Sequence, residues 1–260
     1  MTILDNICKN KKKEIQFDKN KYSINTLEKI TKIDENRGFN HLLVKKNKMK
    51  KNNIIGEIKK ASPSAGIIME DYDPVSIASN YEKSGIGALS ILTEKKYFSG
   101  NIEHISLVKN NINIPILRKD FIIDPYQVIQ SKYYKADAIL IILSILSLSQ
   151  AQELLDVAKK YKIDCLVEVH NIKEINNALK LNNPTIGINN RNLKNLEVNL
   201  INTIELYKEI PDDYTIVAES GIKTKEDINK YNKLGIYNFL IGESLLRSKN
   251  IYKKVNELIW

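Results

Sequence analysis

A (βα)8 TIM barrel, an α/β fold, with an N-terminal helical extension is the fold class this sequence predicts, and three observations predict it. From residue 54 onward, short β-branched runs alternate with amphipathic stretches; there are eight such runs; and charged residues recur at their C-terminal ends. Strict alternation of strand and helix gives a parallel sheet with right-handed crossovers. Eight units argue for closure, and 260 residues suit one barrel domain. An open doubly wound sheet is the alternative, but its dinucleotide form needs G-x-G-x-x-G after the first strand. Gly85 and Gly87 of "KSGIGALS" lie before a strand instead.

Residues 1–50 read as the helical extension, because "NTLEKITKIDENRGFNHLLVKK" spaces its apolar residues by three and four. Residues 54–260 read as the barrel. Its strands are expected at "IIGEIK", "ALSILTE", "PILRKD", "AILIILS", "CLVEV", "TIGIN", "TIVAES" and "NFLIG". Helical patterns such as "DPVSIASNYEKSG" and "SQAQELLDVAKKYK" fill the intervals. Capping residues mark several starts: Asp73 before Pro74, Asp124 before Pro125, Ser149, and Thr224 with Asp227 three positions later.

Composition narrows the function classes. No apolar run is long enough for a membrane span. The first residues place an apolar patch before lysines, the reverse of a secretory signal, so a cytoplasmic protein is expected. Cys8 and Cys165 are far apart and match no zinc spacing. The net charge of +9 raises nucleic acid as a partner, but the densest cluster, "VKKNKMKKN" at residues 44–52, lacks interleaved aromatics and reads as a solvated linker or helix face. A small anionic substrate suits the same balance, and nothing demands more than a monomer.

Side chains alternate along a strand, so Glu57 and Lys59 share one face, as do Leu117 and Lys119, and Leu166 and Glu168. Strand six ends in Asn189 and Arg191, strand seven in Glu219 and Ser220. Taken singly, each is an ion pair or a solvated strand end. Five of eight strands with this pattern point instead to one cavity at the C-terminal mouth, where barrel enzymes carry their chemistry. Buried charges there must pair with one another or with substrate. The loops after strands seven and eight hold Ser220, Gly221, Gly242 and Glu243, where barrels often bind phosphate. The Glu243 carboxylate would repel that anion, so only its backbone N–H is expected to serve. His41, His104 and His170 share no metal-ligand spacing and read as structural or solvent-facing. No P-loop, G-x-S-x-G or C-x-x-C occurs.

With these residues laid out, the chain resembles the indole-3-glycerol phosphate synthase family of tryptophan biosynthesis. "IIGEIKKASPSAGII" fits that family's signature with Glu57, Lys59, Ser62, Pro63 and Ser64 in place. "LSILTEKKYFSG", "PILRKDF", "LVEVH", "IGINNRNL", "VAESGI" and "LIGESLLR" follow in order, and "RGFNHLL" echoes the N-terminal extension. The resemblance implies conversion of 1-(o-carboxyphenylamino)-1-deoxyribulose 5-phosphate to indole-3-glycerol phosphate with loss of carbon dioxide and water, and without a cofactor or metal. It further implies Lys119 as general acid and Glu168 as base. Glu57 and Asn189 would position substrate, and Lys59 would bind an anionic group or act as a second acid. Phosphate would sit on Ser220, Gly221, Gly242 and Glu243; Ser62, Pro63, Phe98, Phe121, Arg191 and Glu219 would complete the pocket. Two alternatives stand beside it: another phosphate-binding barrel isomerase, which would want Cys/Asp or paired Asp at strand ends, and a non-catalytic basic barrel that binds nucleic acid.

Overall fold

The computed structural model describes residues 2–193 and 195–259. Eight parallel strands close into a barrel: β1 (Asn53–Ile58), β2 (Ala88–Leu92), β3 (Ile116–Lys119), β4 (Ala138–Ile142), β5 (Asp164–Val169), β6 (Thr185–Asn189), β7 (Thr215–Glu219) and β8 (Asn238–Ile241). Neighbours pair in sequence order and β1 closes on β8, with Ile55 opposite Leu240. All eight expected strands are present, each within a residue or two of its expected bounds at either end. Lys59 lies one residue past the end of β1.

The strand period divides the core in two. Ile54, Leu89, Ile116, Ile139, Val167, Ile186, Ile216 and Phe239 join a large cluster with the helices outside. Ile55, Leu117, Leu140, Leu166, Val217 and Leu240 form a second, inner cluster. Burying each such side chain contributes about 1.5–3 kcal/mol, which explains why the strands read as nearly unbroken apolar runs.

Helices follow the strands as α4 (Pro74–Lys83), α6 (Glu103–Lys109), α7 (Pro125–Tyr133), α8 (Leu148–Lys160), α9 (Ile172–Ala178), α10 (Ile201–Leu206), α11 (Lys225–Asn232), and then α12 (Glu243–Leu246) with α13 (Ile251–Ile259). A short α5 (Lys95–Phe98) precedes α6. Asp73 and Asp124 cap α4 and α7, and Thr224 and Asp227 form a reciprocal capping box on α11. The cap of α8 is Ser147, not Ser149: Ser147 Oγ accepts from Gln150 N–H while Gln150 Oε1 accepts from Ser147 N–H. Glutamine at the third position completes that box, which Ser149 has no partner to build.

The extension is three helices, α1 (Ile3–Lys21), α2 (Ile24–Ile30) and α3 (Phe39–Lys48), and residues 31–38 break the helix that the spacing suggested. Their polar groups bind the barrel floor instead. Arg37 N–H donates to Asp137 Oδ1 at 2.7 Å, and its guanidinium donates to the carbonyls of Lys109, Ile112 and Ile114. Gly38 then turns the chain at φ +69°, a region open to glycine at low cost.

α3 closes the N-terminal mouth. Asn40 N–H donates to Asp164, Thr185 Oγ1 to Asn40 Oδ1, and Asn238 Nδ2 to the Leu43 carbonyl, while Phe39 and Leu43 enter the inner cluster. The basic stretch 44–52 is the end of this helix and the turn after it. At the opposite mouth, Leu4 and Ile7 of α1 join the same cluster from above. Among the described residues, no helix is long and apolar enough to cross a membrane.

Candidate active site

A cavity of about 550 Å³ opens at the C-terminal mouth, and all fifteen site residues expected from the sequence line it. Alternation along the strands puts Glu57, Lys119, Glu168, Asn189 and Glu219 directly above the inner apolar cluster. Register does the rest, since Glu168 pairs across to Gly187 and Asn189 to Glu219.

At its centre Lys119 Nζ donates to Glu168 Oε2 at 2.8 Å and to Glu219 Oε2 at 2.6 Å. Both carboxylates are almost wholly buried. Burial works against the Lys119 charge, but Glu168, Glu219 and Glu57 together raise its affinity for the proton. The two acids part company. Burial would raise Glu168, yet Lys119 and His170 hold it well below the usual carboxylate range. Burial raises Glu219, and, against the pull of Lys119, the charge of Glu168 helps push it up to about 8. One dry ammonium cannot stabilise two carboxylates equally, so one of them keeps its proton at neutral pH. Glu219 is therefore a partner of the central lysine and not merely a wall of the pocket. Its Oε1 finds no hydrogen-bond partner among the described residues.

A second pair stands beside the first. Lys59 Nζ meets Glu57 Oε1 at 2.5 Å; burial opposes the Glu57 charge, but Lys59 and Lys119 hold its carboxyl below the ordinary value. Two glycines make room for these acids. A Cβ at Gly187 would stand 2.1 Å from Glu219 Oε1, and one at Gly242 would stand 2.6 Å from Glu57 Oε1.

The rim is built by loops. Ser62 belongs to a short hairpin, Ala61–Ser62 against Gly66–Ile67, in which Ser62 Oγ accepts from Ala65 N–H; Pro63 sits at its turn. Phe98 and Phe121 face each other with ring centroids 6.3 Å apart. Arg191 donates to the Leu196 carbonyl, and its N–H to Asn189 Oδ1, so it is tied into its own loop. Ser220 and Gly221 are both left-handed, at φ 66° and 82°, and the bare Gly221 lets Val198 and Leu200 lie against it. Ser244 Oγ donates to the Ile222 carbonyl, joining the loops after β7 and β8. The Glu243 carboxylate accepts from Arg247 Nε at 2.9 Å, one turn along its own helix.

Three features escaped the sequence reading. Ile3, Leu4 and Ile7 of α1 line the cavity; their signal was the three-residue spacing of Leu4 and Ile7, continued by Lys11 and Ile15 on the buried face. Arg118, which points outward between Leu117 and Lys119, anchors a buried network with Thr93, Gln127, Ser131 and Asp120. Lys11 of α1 reaches the same Asp120 at 2.9 Å, pinning the helix beside the loop that follows Lys119. His170 is the third: expected to be structural or solvent-facing, it is set by the fold between two acids. It is partly buried, 3.2 Å from Glu168 Oε1 and 3.1 Å from Glu174 Oε2.

Fold and site together define a (βα)8-barrel enzyme with its ionisable groups converging at the C-terminal mouth. A family model described as indole-3-glycerol phosphate synthase matches residues 4–258, and the chain belongs to that family. A curated indole-3-glycerol phosphate synthase from Zymomonas mobilis subsp. pomaceae is 41% identical over 99% of this chain and 98% of its own length. The one from Acetivibrio thermocellus is 47% identical over 78% of each chain. Among solved structures, a 3-hexulose-6-phosphate synthase from Salmonella typhimurium superimposes with a TM-score of 0.65 at 10% identity, covering 79% of this chain and 96% of that one. That likeness shows the barrel fold alone.

Proposed function

We infer that the protein is an indole-3-glycerol phosphate synthase, a carboxy-lyase of tryptophan biosynthesis acting on 1-(o-carboxyphenylamino)-1-deoxyribulose 5-phosphate. The observation that carries this reading is the family match across the whole barrel. The grouping of Glu57, Lys59, Lys119, Glu168 and Asn189 around one cavity supports it.

In this reading Lys119 delivers a proton to the ketone oxygen as the carboxylate-bearing ring carbon attacks the carbonyl carbon, closing the five-membered ring. The carbon–carboxylate bond then breaks; its electron pair restores the aromatic ring and carbon dioxide leaves. The new hydroxyl departs as water with a second proton, and the adjacent methylene carbon gives up a proton to Glu168. Lys59 is the second cation, against the substrate carboxylate or the departing hydroxyl, while Glu57 and Asn189 hold the reacting carbons in line. Phosphate sits against the backbone of Ser220, Gly221, Gly242 and Glu243, whose loops Ser244 ties together, and the Glu243 side chain is drawn aside by Arg247. Ser62, Pro63, Phe98, Phe121 and Arg191 enclose the anthranilate ring and its linker. The enzyme works in this scheme with its own side chains, as a monomer, without nucleic acid.

The test follows indole fluorescence after mixing purified protein with the carboxyphenylamino-deoxyribulose phosphate. Turnover by the native chain, lost in Lys119→Ala, is the expected result; no signal above that variant would overturn the assignment.

A further inference from the structure

The stretch Glu168-Val-His-Asn-Ile-Lys-Glu174 runs off the end of β5 into the first turn of α9. It spaces two acids around one histidine. Glu174 is held rigidly, because Asn171 caps α9 and Glu174 reaches back. Glu174 N–H donates to Asn171 Oδ1 at 3.0 Å, and Glu174 Oε1 accepts from Asn171 Nδ2 at 2.6 Å. Its other oxygen accepts from the backbone N–H of His170 at 2.8 Å and meets His170 Nδ1 at 3.1 Å. The opposite ring nitrogen, Nε2, stands 3.2 Å from Glu168 Oε1, within ion-pair reach but not aligned for a hydrogen bond. Beyond Glu168 lie Lys119 from β3 and Glu219 from β7. The row therefore alternates in charge type: Glu174, His170, Glu168, Lys119, Glu219.

Geometry makes the two acids beside Lys119 unequal. Glu168 has Lys119 on one side and the His170 ring on the other, while Glu219 has Lys119 as its one cation, and an Oε1 with no hydrogen-bond partner, among the described residues. We propose that His170 is a positioning residue acting through Glu168: held as an imidazolium between Glu168 and Glu174, it selects Glu168 as the ionised carboxylate and so makes it the base. The proposal rests on the reading of Glu168 as base given above. The electrostatics agree, since burial would lower His170 but the carboxylates of Glu168 and Glu174 overcome it and push it up to about 9. A neutral imidazole has no charge with which to favour ionised Glu168; the cation attracts both flanking carboxylates.

The test pairs a titration with a rate profile. The imidazole signals of His170, followed by NMR in the substrate-free protein, should show a midpoint more than a pH unit above the free-histidine value of about 6.5, and Glu174→Gln should lower that midpoint by about one unit. Separately, kcat of the native protein over His170→Gln is expected to be about tenfold below pH 8, with KM within about twofold. The ratio should shrink toward one as pH rises past the His170 midpoint, because the native histidine then loses the charge that glutamine never had. Groups whose titration His170 leaves unchanged cancel in the ratio, and a packing role would leave it flat. A flat ratio, or a His170 midpoint at or below about 6.5, overturns the proposal. If His170→Gln fails to fold, the titration of the native protein and of Glu174→Gln decides it. If the native chain does not turn over the substrate, the functional reading fails while the titration still answers for His170.

Discussion

The two mouths of the barrel are lined by the same kinds of residue and resolve them in opposite ways. At the N-terminal mouth, Asp137 accepts from the backbone of Arg37 and of Ile116 and pairs with Lys109. Asp164 accepts from Asn40, and Asn183 Nδ2 donates to the Cys165 and Thr185 carbonyls. Acids there meet fixed backbone donors, which offset part of the burial that raises the Asp164 carboxyl above its ordinary value. At the C-terminal mouth Glu168 and Glu219 share one lysine, Lys119, and Glu219 is left with a strongly raised proton affinity. Satisfied charge holds the fold together. Incompletely satisfied charge, in a cavity that a substrate can enter, is free to move protons.

The largest effect should come from the upper mouth. Lys119→Ala removes the group expected to give the first proton, and kcat should fall by roughly 100- to 10,000-fold with a smaller change in KM, measured by indole fluorescence at saturating substrate. The lower mouth should break differently. Asp137→Ala strands Lys109 and two backbone donors in the interior, costing on the order of 3–5 kcal/mol and lowering Tm by about 10 °C. The kcat of the folded fraction should be unchanged. If turnover fell with stability intact, the division of labour between the two mouths would be wrong.

Glu219 sharpens the comparison, because its raised proton affinity is a stability statement. An unfolded glutamate releases its proton near pH 4.3, whereas the folded one keeps it to about 8. Stability from this residue is therefore full below about pH 4.3 and declines as pH rises toward 8. Glu219→Gln abolishes that slope, so its Tm should gain on the native value steadily between pH 5 and pH 8. A difference independent of pH would mean that Glu219 is ionised throughout. The smallest effect is expected at a helix cap outside the cavity lining. Ser147→Ala deletes the capping box of α8 and should cost about 1 kcal/mol, seen as a lowered urea midpoint with kcat retained.

The strands and the charged strand ends were legible in the sequence because both are local signals. A period of two separates Leu117 from Arg118 and brings Lys119 back to the inner face; glycine and serine follow directly where β7 ends. What stayed hidden depends on partners far along the chain. Asp120 has Lys11 as a partner 109 positions away, and residues 31–38 leave the helix because Asp137, a hundred residues on, offers Arg37 a better acceptor than a helical carbonyl. His170 hid for another reason. Its partners are near in sequence, but a histidine two positions past a strand-end glutamate has the same spacing whether it faces solvent or is trapped between two acids. Only the reciprocal cap of α9, which fixes Glu174, separates the two cases.

The floor of the barrel also sets an order of events during synthesis. α3 leaves the ribosome before every strand of the barrel, yet the groups that hold it come from Asp164, Thr185 and Asn238. At about 5–20 residues per second, roughly 10–40 s separate the emergence of Leu43 from that of Asn238. Throughout that interval Phe39 and Leu43 have no finished barrel to enter, so a helix translated ahead of the strands is among the last elements to dock. A nascent chain stalled before β8 would leave this helix open to protease, and release of the last strand would protect it.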